Sequence, residues 1–313
     1  MGTADGRRSR RDAWLVWLWR IGLSALALLV LATGLAILNN NFSFSQPTRA
    51  EFVKSLDHSL AASTEWTISQ YAAGDLRLGM TDEGKRFIAN AILSHMLVDC
   101  ASTSGDLRLQ QLAAQFADAR RTNPDLWAKL VDPAIVTNRF EDRELVGLEM
   151  YQRWILHGIA PAEVHLSAPD LEDMFSPSKY RTGKATHQLF SLYIYRQFNG
   201  DTPALQRVMN PVEDRIAAEA AFDFRVTDLY LQRIAFLLAV GRPDLVKPRW
   251  VERALDAQQS DGGWHYTWNG WGPPPFRYTF SYEHSWAHST AQGMWLACML
   301  KYRYPQWIDT HYK

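Results

Sequence analysis

Cysteine is almost missing from this chain: Cys100 and Cys298 are the two thiols in 313 residues. Two thiols cannot build a disulfide scaffold, and neither has a Cys or His neighbour at zinc-finger spacing, so a structural zinc domain is excluded. Both stand in apolar helical runs and read as buried, inert thiols. A single bridge between them stays open in an oxidising compartment, if the first and last helical layers meet. An excess of one charge is missing too. Basic and acidic residues number 33 each, which removes the global field that attracts nucleic acid. Low-complexity tracts are absent, which argues against disorder, and convincing strand patterns are scarce.

Charge is concentrated in one place, at Arg7, Arg8, Arg10 and Arg11. An apolar run from Ile21 to Leu38 follows, with Trp14, Trp17 and Trp19 at its start and Asn39, Asn40 and Asn41 at its end. At about 1.5 Å per residue the run matches one bilayer. A cleaved signal peptide has a shorter apolar region and a small-x-small site, for which Gly34-Leu35-Ala36 is a poor candidate. The expected organisation is a basic cytoplasmic segment 1–12, a transmembrane anchor 13–38, a linker 39–50 and one domain over 51–313. Arginines ahead of the span predict that this domain lies outside the cytoplasm, at the cell membrane. Asn41-Phe42-Ser43 is a formal glycosylation sequon, relevant only in a eukaryotic secretory host.

From residue 50 onward, helical patterns follow one another. They predict helices near Glu51–Tyr71, Glu83–Asp99, Leu107–Arg121, Asp142–His157, Lys184–Phe198, Pro203–Ala221, Thr227–Val240, Pro248–Gln259 and Ser285–Tyr304, with a short one near Asp170. The domain is therefore all-α. Helices starting near Asp142, Lys184 and Thr227 recur about every 42 residues, the spacing of one helical hairpin per repeat. Segments apolar nearly all round, such as Phe190–Tyr195, Ile234–Val240 and Met294–Leu300, suit an inner layer, whereas Pro203–Ala221 carries charge on one face and suits an outer one. An α/α toroid of about five to six hairpins, preceded by one transmembrane helix, is the expected fold, and an open solenoid shares its pattern.

One short segment is more specific. In Gln258-Gln259-Ser260-Asp261-Gly262-Gly263-Trp264, two glycines supply the positive φ that a sharp helix stop needs, and Trp264 can fold back over the helix end. The segment resembles the QW repeat of the terpenoid cyclase and protein prenyltransferase superfamily. The resemblance implies an α/α toroid; its sharp part covers only these residues, and an ordinary helix C-cap has similar chemistry.

A toroid would bring the starts of its inner helices to one mouth. Those starts carry Lys184-Ala185-Thr186-His187, Thr227-Asp228 and His284-Ser285-Trp286-Ala287-His288-Ser289. The preceding insert, Trp264 to Trp286, is unusually aromatic. Proton transfer is assigned to His187, Tyr282, Glu283 and His284, and ligand contact to Trp264, Trp268, Trp271, Arg277, Tyr278 and Asp228, because flat aromatic faces stack on sugars or bury a lipid chain. Caps, interior hydrogen bonds and a packed aromatic lid explain the same residues without a ligand. His284 and His288 stand four apart, and a third zinc ligand would have to come from His187, Asp228 or Glu283; two ligands do not make a site, and no metal is assigned.

Three enzyme classes fit such a mouth. Asn269, Arg277, Tyr282, His284 and His187 match the inventory of a toroidal polysaccharide lyase. Asp170, Glu172, Asp173, Asp228 and Glu283 offer carboxylates for a glycoside hydrolase. Asp170-Leu171-Glu172-Asp173 approximates the Asp-x-Asp-Asp acid motif of cyclases with Glu at the central position. The expected function is binding, with cleavage as an added activity, of a glycan or lipid-linked ligand. A noncatalytic binding or scaffolding toroid and a terpenoid cyclase-like enzyme are the alternatives. The expected partners are the membrane and that ligand, without nucleic acid, and no cofactor is indicated.

Overall fold

The structure, a computed structural model, describes residues 5–43, 45–72, 84–122, 124–176, 184–266, 270–271, 278–279 and 284–313. It is all-helical apart from one short ladder. The first helix, α1 (Asp5–Asn41), contains a stretch, Trp17–Asn41, long and apolar enough to cross a membrane. Then come α2 (Arg49–Ala72), α3 (Gly84–Ser104), α4 (Leu107–Thr122), α5 (Met150–Ile159), α6 (Ala168–Phe175), α7 (Lys184–Asn199), α8 (Pro203–Phe222), α9 (Asp228–Ala239) and α10 (Pro248–Asp256). A two-residue antiparallel ladder, β1 (Gly270–Trp271) with β2 (Tyr278–Thr279), precedes α11 (Ala287–Cys298), which runs into a π-helical turn, Met299–Arg303. The chain closes with α12 (Pro305–His311).

Local chemistry explains the boundaries. Side chains of Ser167, Thr202 and Thr227 accept from backbone N–H groups in the first turns of α6, α8 and α9, filling otherwise unsatisfied donors. The expected helix Asp142–His157 is instead split. Its first part is a 3-10 turn, Asp142–Leu145; Gly147 then takes a positive φ of 83°, and a capping box between Glu149 and Gln152 starts α5 afresh. Pro305 interrupts the last apolar run and opens α12, a helix the sequence pattern did not separate.

Two classes of helix pack together. From Tyr230 to Ala239 every residue of α9 is buried, and α7 and α11 are nearly as enclosed, whereas α8 and α10 bury one face. α5, α7, α9, α11 and α3 run in one direction, as their matched contacts show: Tyr151 on His187, Phe190 on Phe236, Phe236 on Trp295, and His95 on Trp295. α11 packs on α9 on one side and on α3 and α2 on the other, so early and late helices of the domain meet. At that meeting the Cys298 thiol donates to the Cys100 carbonyl at 3.4 Å, and both cysteines are free. Four helices send His95, Phe190, Tyr193, Phe236 and Trp295 into one aromatic cluster, with neighbouring ring centroids 4.9 to 6.4 Å apart. That cluster packs α3, α7, α9 and α11 against one another.

The Gln258–Trp264 segment ties three helices. Gln258 Nε2 donates to Ser59 O of α2 and Gly262 O. The Trp264 indole turns back to donate to Ala254 O of α10 at 2.7 Å, while its backbone N–H donates to Thr290 Oγ1 of α11. Only Gly262 takes a positive φ (97°), and the two glycines therefore serve different ends. Gly263 is required for space: a Cβ there would lie 2.4 Å from Ser285 Cβ. Gly293 does the same for Trp264, whose ring would stand 2.6 Å from an added Cβ.

The expected linker 39–50 differs from what is observed. Its first three residues complete α1 and are locked into the domain. Asn40 Nδ2 donates to Ala220 O (2.8 Å) and Ala221 O (3.2 Å) at the end of α8, and its Oδ1 accepts from Tyr230 Oη (2.8 Å) and Arg253 Nη1. Asn41 donates to Ala221 O and accepts from Lys247, while Arg249 reaches both oxygens of Asn39. Asparagine suits this socket because one side chain both donates and accepts.

Candidate functional site

Because α5, α7, α9 and α11 are parallel, their first turns lie at one end, and the expected site residues that can be placed on helices lie there. Asp228 opens α9 and His288 is the second residue of α11. Their side chains meet, with His288 Nδ1 2.8 Å from Asp228 Oδ1. The pair is partly buried, with 29% of the His288 side chain and 16% of the Asp228 side chain exposed. Ser289 Oγ donates to the same carboxylate oxygen at 3.1 Å. With its amide nitrogen turned toward Asp228, Gln292 donates to Oδ1 (3.1 Å) and to the Asp228 carbonyl (2.9 Å), and its oxygen accepts from Gln232 Nε2 (3.2 Å).

This arrangement has a chemical consequence. The Asp228 carboxylate, in the first turn of α9, is met by His288 Nδ1, Ser289 Oγ and the Gln292 amide. It faces His288 Nδ1, which fixes the ring's orientation and turns Nε2 away from the carboxylate. An imidazole oriented by a carboxylate is a component of general acid–base chemistry.

Aromatic residues flank the Asp228–His288 pair in the chain. The backbone N–H of Asp228 donates to Tyr266 O, and that of Trp286 donates to Trp264 O, so the 264–266 segment bridges the starts of α9 and α11. The rings of Tyr266 and Trp286 lie 5.7 Å apart and are 53% and 54% exposed. On the neighbouring helix pair, His187 lies against Tyr151, with centroids 4.3 Å apart, and burial pushes the Tyr151 hydroxyl above its ordinary pKa.

The expected residues divide clearly. Asp228 is joined to His288 as described, and His187 to Tyr151. His284 is exposed and precedes α11, so it shares no helical face with His288. Trp264 is a correction: its side chain is fully buried between Ala254 and Gly293, and it packs the core where ligand contact was expected. Trp271 and Tyr278 are paired in backbone register across the ladder. Trp268, Asn269, Arg277, Tyr282 and Glu283 lie outside the described residues. Among the acidic candidates, Asp170 is held by Arg153 in two hydrogen bonds of 3.0 and 3.1 Å. Among the described residues, no group of three or more His, Cys, Asp or Glu side chains could hold a metal ion.

Sequence reasoning did not single out Gln232 and Gln292. A signal for them existed, since Asp228 and Gln232, and His288 and Gln292, are each four apart, one helical turn on the same face. No family model, curated protein or solved structure matches this chain.

Proposed function

We propose that this protein is held in a membrane by α1 with its helical domain outside the cytoplasm, and that the domain is an α/α toroid binding a glycan or lipid-linked ligand at the Asp228–His288 mouth. His288, oriented by Asp228, transfers the proton. The observation that carries the reading is the 2.8 Å contact between two side chains 60 residues apart, on the first turns of adjacent helices, beneath an exposed aromatic pair. The toroid is supported by parallel inner helices and the return of α11 to α3. Topology is supported by the arginines ahead of the span. His187, Tyr282, Glu283 and His284 stay in the proposal as groups that approach the same ligand, and Trp268, Trp271, Arg277 and Tyr278 as its contacts. A cyclase-like acid is the weaker reading, because Glu172 occupies the central position of Asp170-Leu171-Glu172-Asp173, where that motif carries Asp.

A panel of uronate-containing, neutral and lipid-linked glycans tests this. Turnover by the wild-type protein should fall by about 10²- to 10⁴-fold in His288→Gln, with folding retained. Ligand binding without turnover across the panel would leave a noncatalytic binding toroid.

A further inference from the structure

We propose that the end of the domain carrying Asp228 and His288 lies against the lipid headgroup layer, so that the mouth opens onto the membrane that holds the protein. This rests on the reading of α1 as a membrane anchor, and adds an orientation and a second lipid-contacting surface.

The socket and the mouth share one end of the domain. Asn40 binds the last turn of α8 through Ala220 and Ala221, and the first turn of α9 through Tyr230, two residues after Asp228. Arg253 completes the connection, holding Asn40 Oδ1 with one nitrogen and Phe224 O with another. The anchor is therefore fastened to the rim that bears Asp228. The opposite end carries the C-terminal ends of α3 and α11, joined by Asp99 and Arg303.

Very little chain separates bilayer from socket. A hydrocarbon core of about 30 Å needs about 20 helical residues. Counted from the Trp17 and Trp19 girdle, that length ends near Leu38, one residue before the Asn39–Asn41 latch. Ala36 is already buried against the domain, while Leu35 and Leu38 on the same turns remain exposed. The rim thus begins where the hydrocarbon ends.

The rim is also composed for an interface. Phe222, at the end of α8, is 68% exposed, and Tyr266 and Trp286 flank the mouth. Tyrosine and tryptophan concentrate at headgroup depth because one part is apolar and another polar, and Phe222 adds an exposed apolar ring. Beside Phe222, Arg225 has a half-exposed side chain fixed at Nε by Asp223 Oδ1 (3.0 Å), and both line an open groove with Arg215 and Phe224. An arginine held in that position suits a lipid phosphate. A ligand entering such a mouth comes from the headgroup layer, where a lipid-linked substrate presents its polar part.

The full-length protein in vesicles of phosphatidylcholine and phosphatidylglycerol tests the orientation. Nitroxide labels go on Phe222→Cys, Trp286→Cys, Leu29→Cys and Leu107→Cys, the last following the far end of α3; the native thiols, both buried, stay unlabelled in the fold. Collision with an aqueous nickel chelate and with lipid-dissolved oxygen reports depth. Leu29 should read as hydrocarbon, Phe222 and Trp286 as interfacial with most chelate access lost, and Leu107 as water. Phe222 and Trp286 as accessible to chelate as Leu107, with Leu29 still deep, would overturn the orientation alone. Leu29 in water would remove the anchor reading and the orientation with it.

Discussion

Tyr230 Oη donates to Asn40 Oδ1 at 2.8 Å across 190 residues of sequence, and through this bond the anchor helix and the candidate site share one scaffold. Asn40 is fully buried and also accepts from Arg253. Asn40→Ala would strand both donors, each costing about 1–3 kcal/mol. The expected outcome is release of α1 from the domain, read as faster proteolysis between α1 and α2 with unchanged far-ultraviolet circular dichroism. Asn40→Asp keeps the acceptor and should behave less severely.

Gly263→Val and Gly293→Ala should both lower the melting temperature, although neither glycine has a positive φ. The obstruction is steric, from Ser285 and Thr290 in one case and the Trp264 ring in the other. Overpacking of this kind costs about 1–3 kcal/mol. Thermal unfolding checks it, and Trp264→Phe should partly rescue Gly293→Ala by vacating ring volume.

His95 makes stability depend on pH. Burial holds its imidazole below the ordinary value of 6.5; the Leu130 carbonyl bond at Nδ1 and Asp99 pull the other way, and Arg303 adds to the lowering. Its Nε2 is shut off from solvent without a hydrogen-bond partner. A depressed folded pKa means the unfolded chain takes the proton first. The stability is therefore complete above about pH 6.5 and lost as pH falls through the folded value. Denaturant midpoints measured from pH 8 to 5 should decline, and His95→Gln should flatten the decline.

Asp228→Asn should change the state of His288 before it changes the fold, since Ser289 and Gln292 still bridge α9 and α11. Losing the carboxylate removes the preference for the Nδ1–H tautomer. In nitrogen-resolved NMR the wild-type protein should show a hydrogen-bonded Nδ1–H on His288, and the variant a mixture of tautomers.

A reporter fused after Lys313 should read as extracytoplasmic, because four arginines precede the apolar span. A cytoplasmic readout would reverse the topology and bring the prenyltransferase comparison forward.

Helix starts were legible because period and punctuation are local: Pro203, Thr227 and Pro248 stand at observed boundaries, whereas α10 ends at Asp256, ahead of the expected Gln259 and the Gly262–Gly263 pair. Asp228 was legible for the same reason, as a polar residue at an inner-helix start. The pairing of Asp228 with His288 was not, since register between helices 60 residues apart leaves no trace in either segment. Trp264 misled in the opposite way: an aromatic residue beside an aromatic insert looks like part of it, and only Gly293 on another helix reveals the slot it fills. The asparagine latch was least visible. Three polar residues after a span look like any membrane flank until their partners on α8, α9 and α10 are in place.

The socket also sets an order of events during biosynthesis. The anchor leaves the ribosome first, yet Tyr230 and Arg253, which receive Asn40, follow about two hundred residues later; at about 5–20 residues per second the delay is tens of seconds. Arg49 waits longer still, since its backbone N–H pairs with the carbonyl of Lys313. During that interval α1, on the proposed topology, would meet the membrane while its asparagines have only water or lipid headgroups to bind. Docking therefore follows the synthesis of α8, α9 and α10, and a chain truncated before the end of α8 would leave Asn40 without Ala220, Ala221, Tyr230 and Arg253.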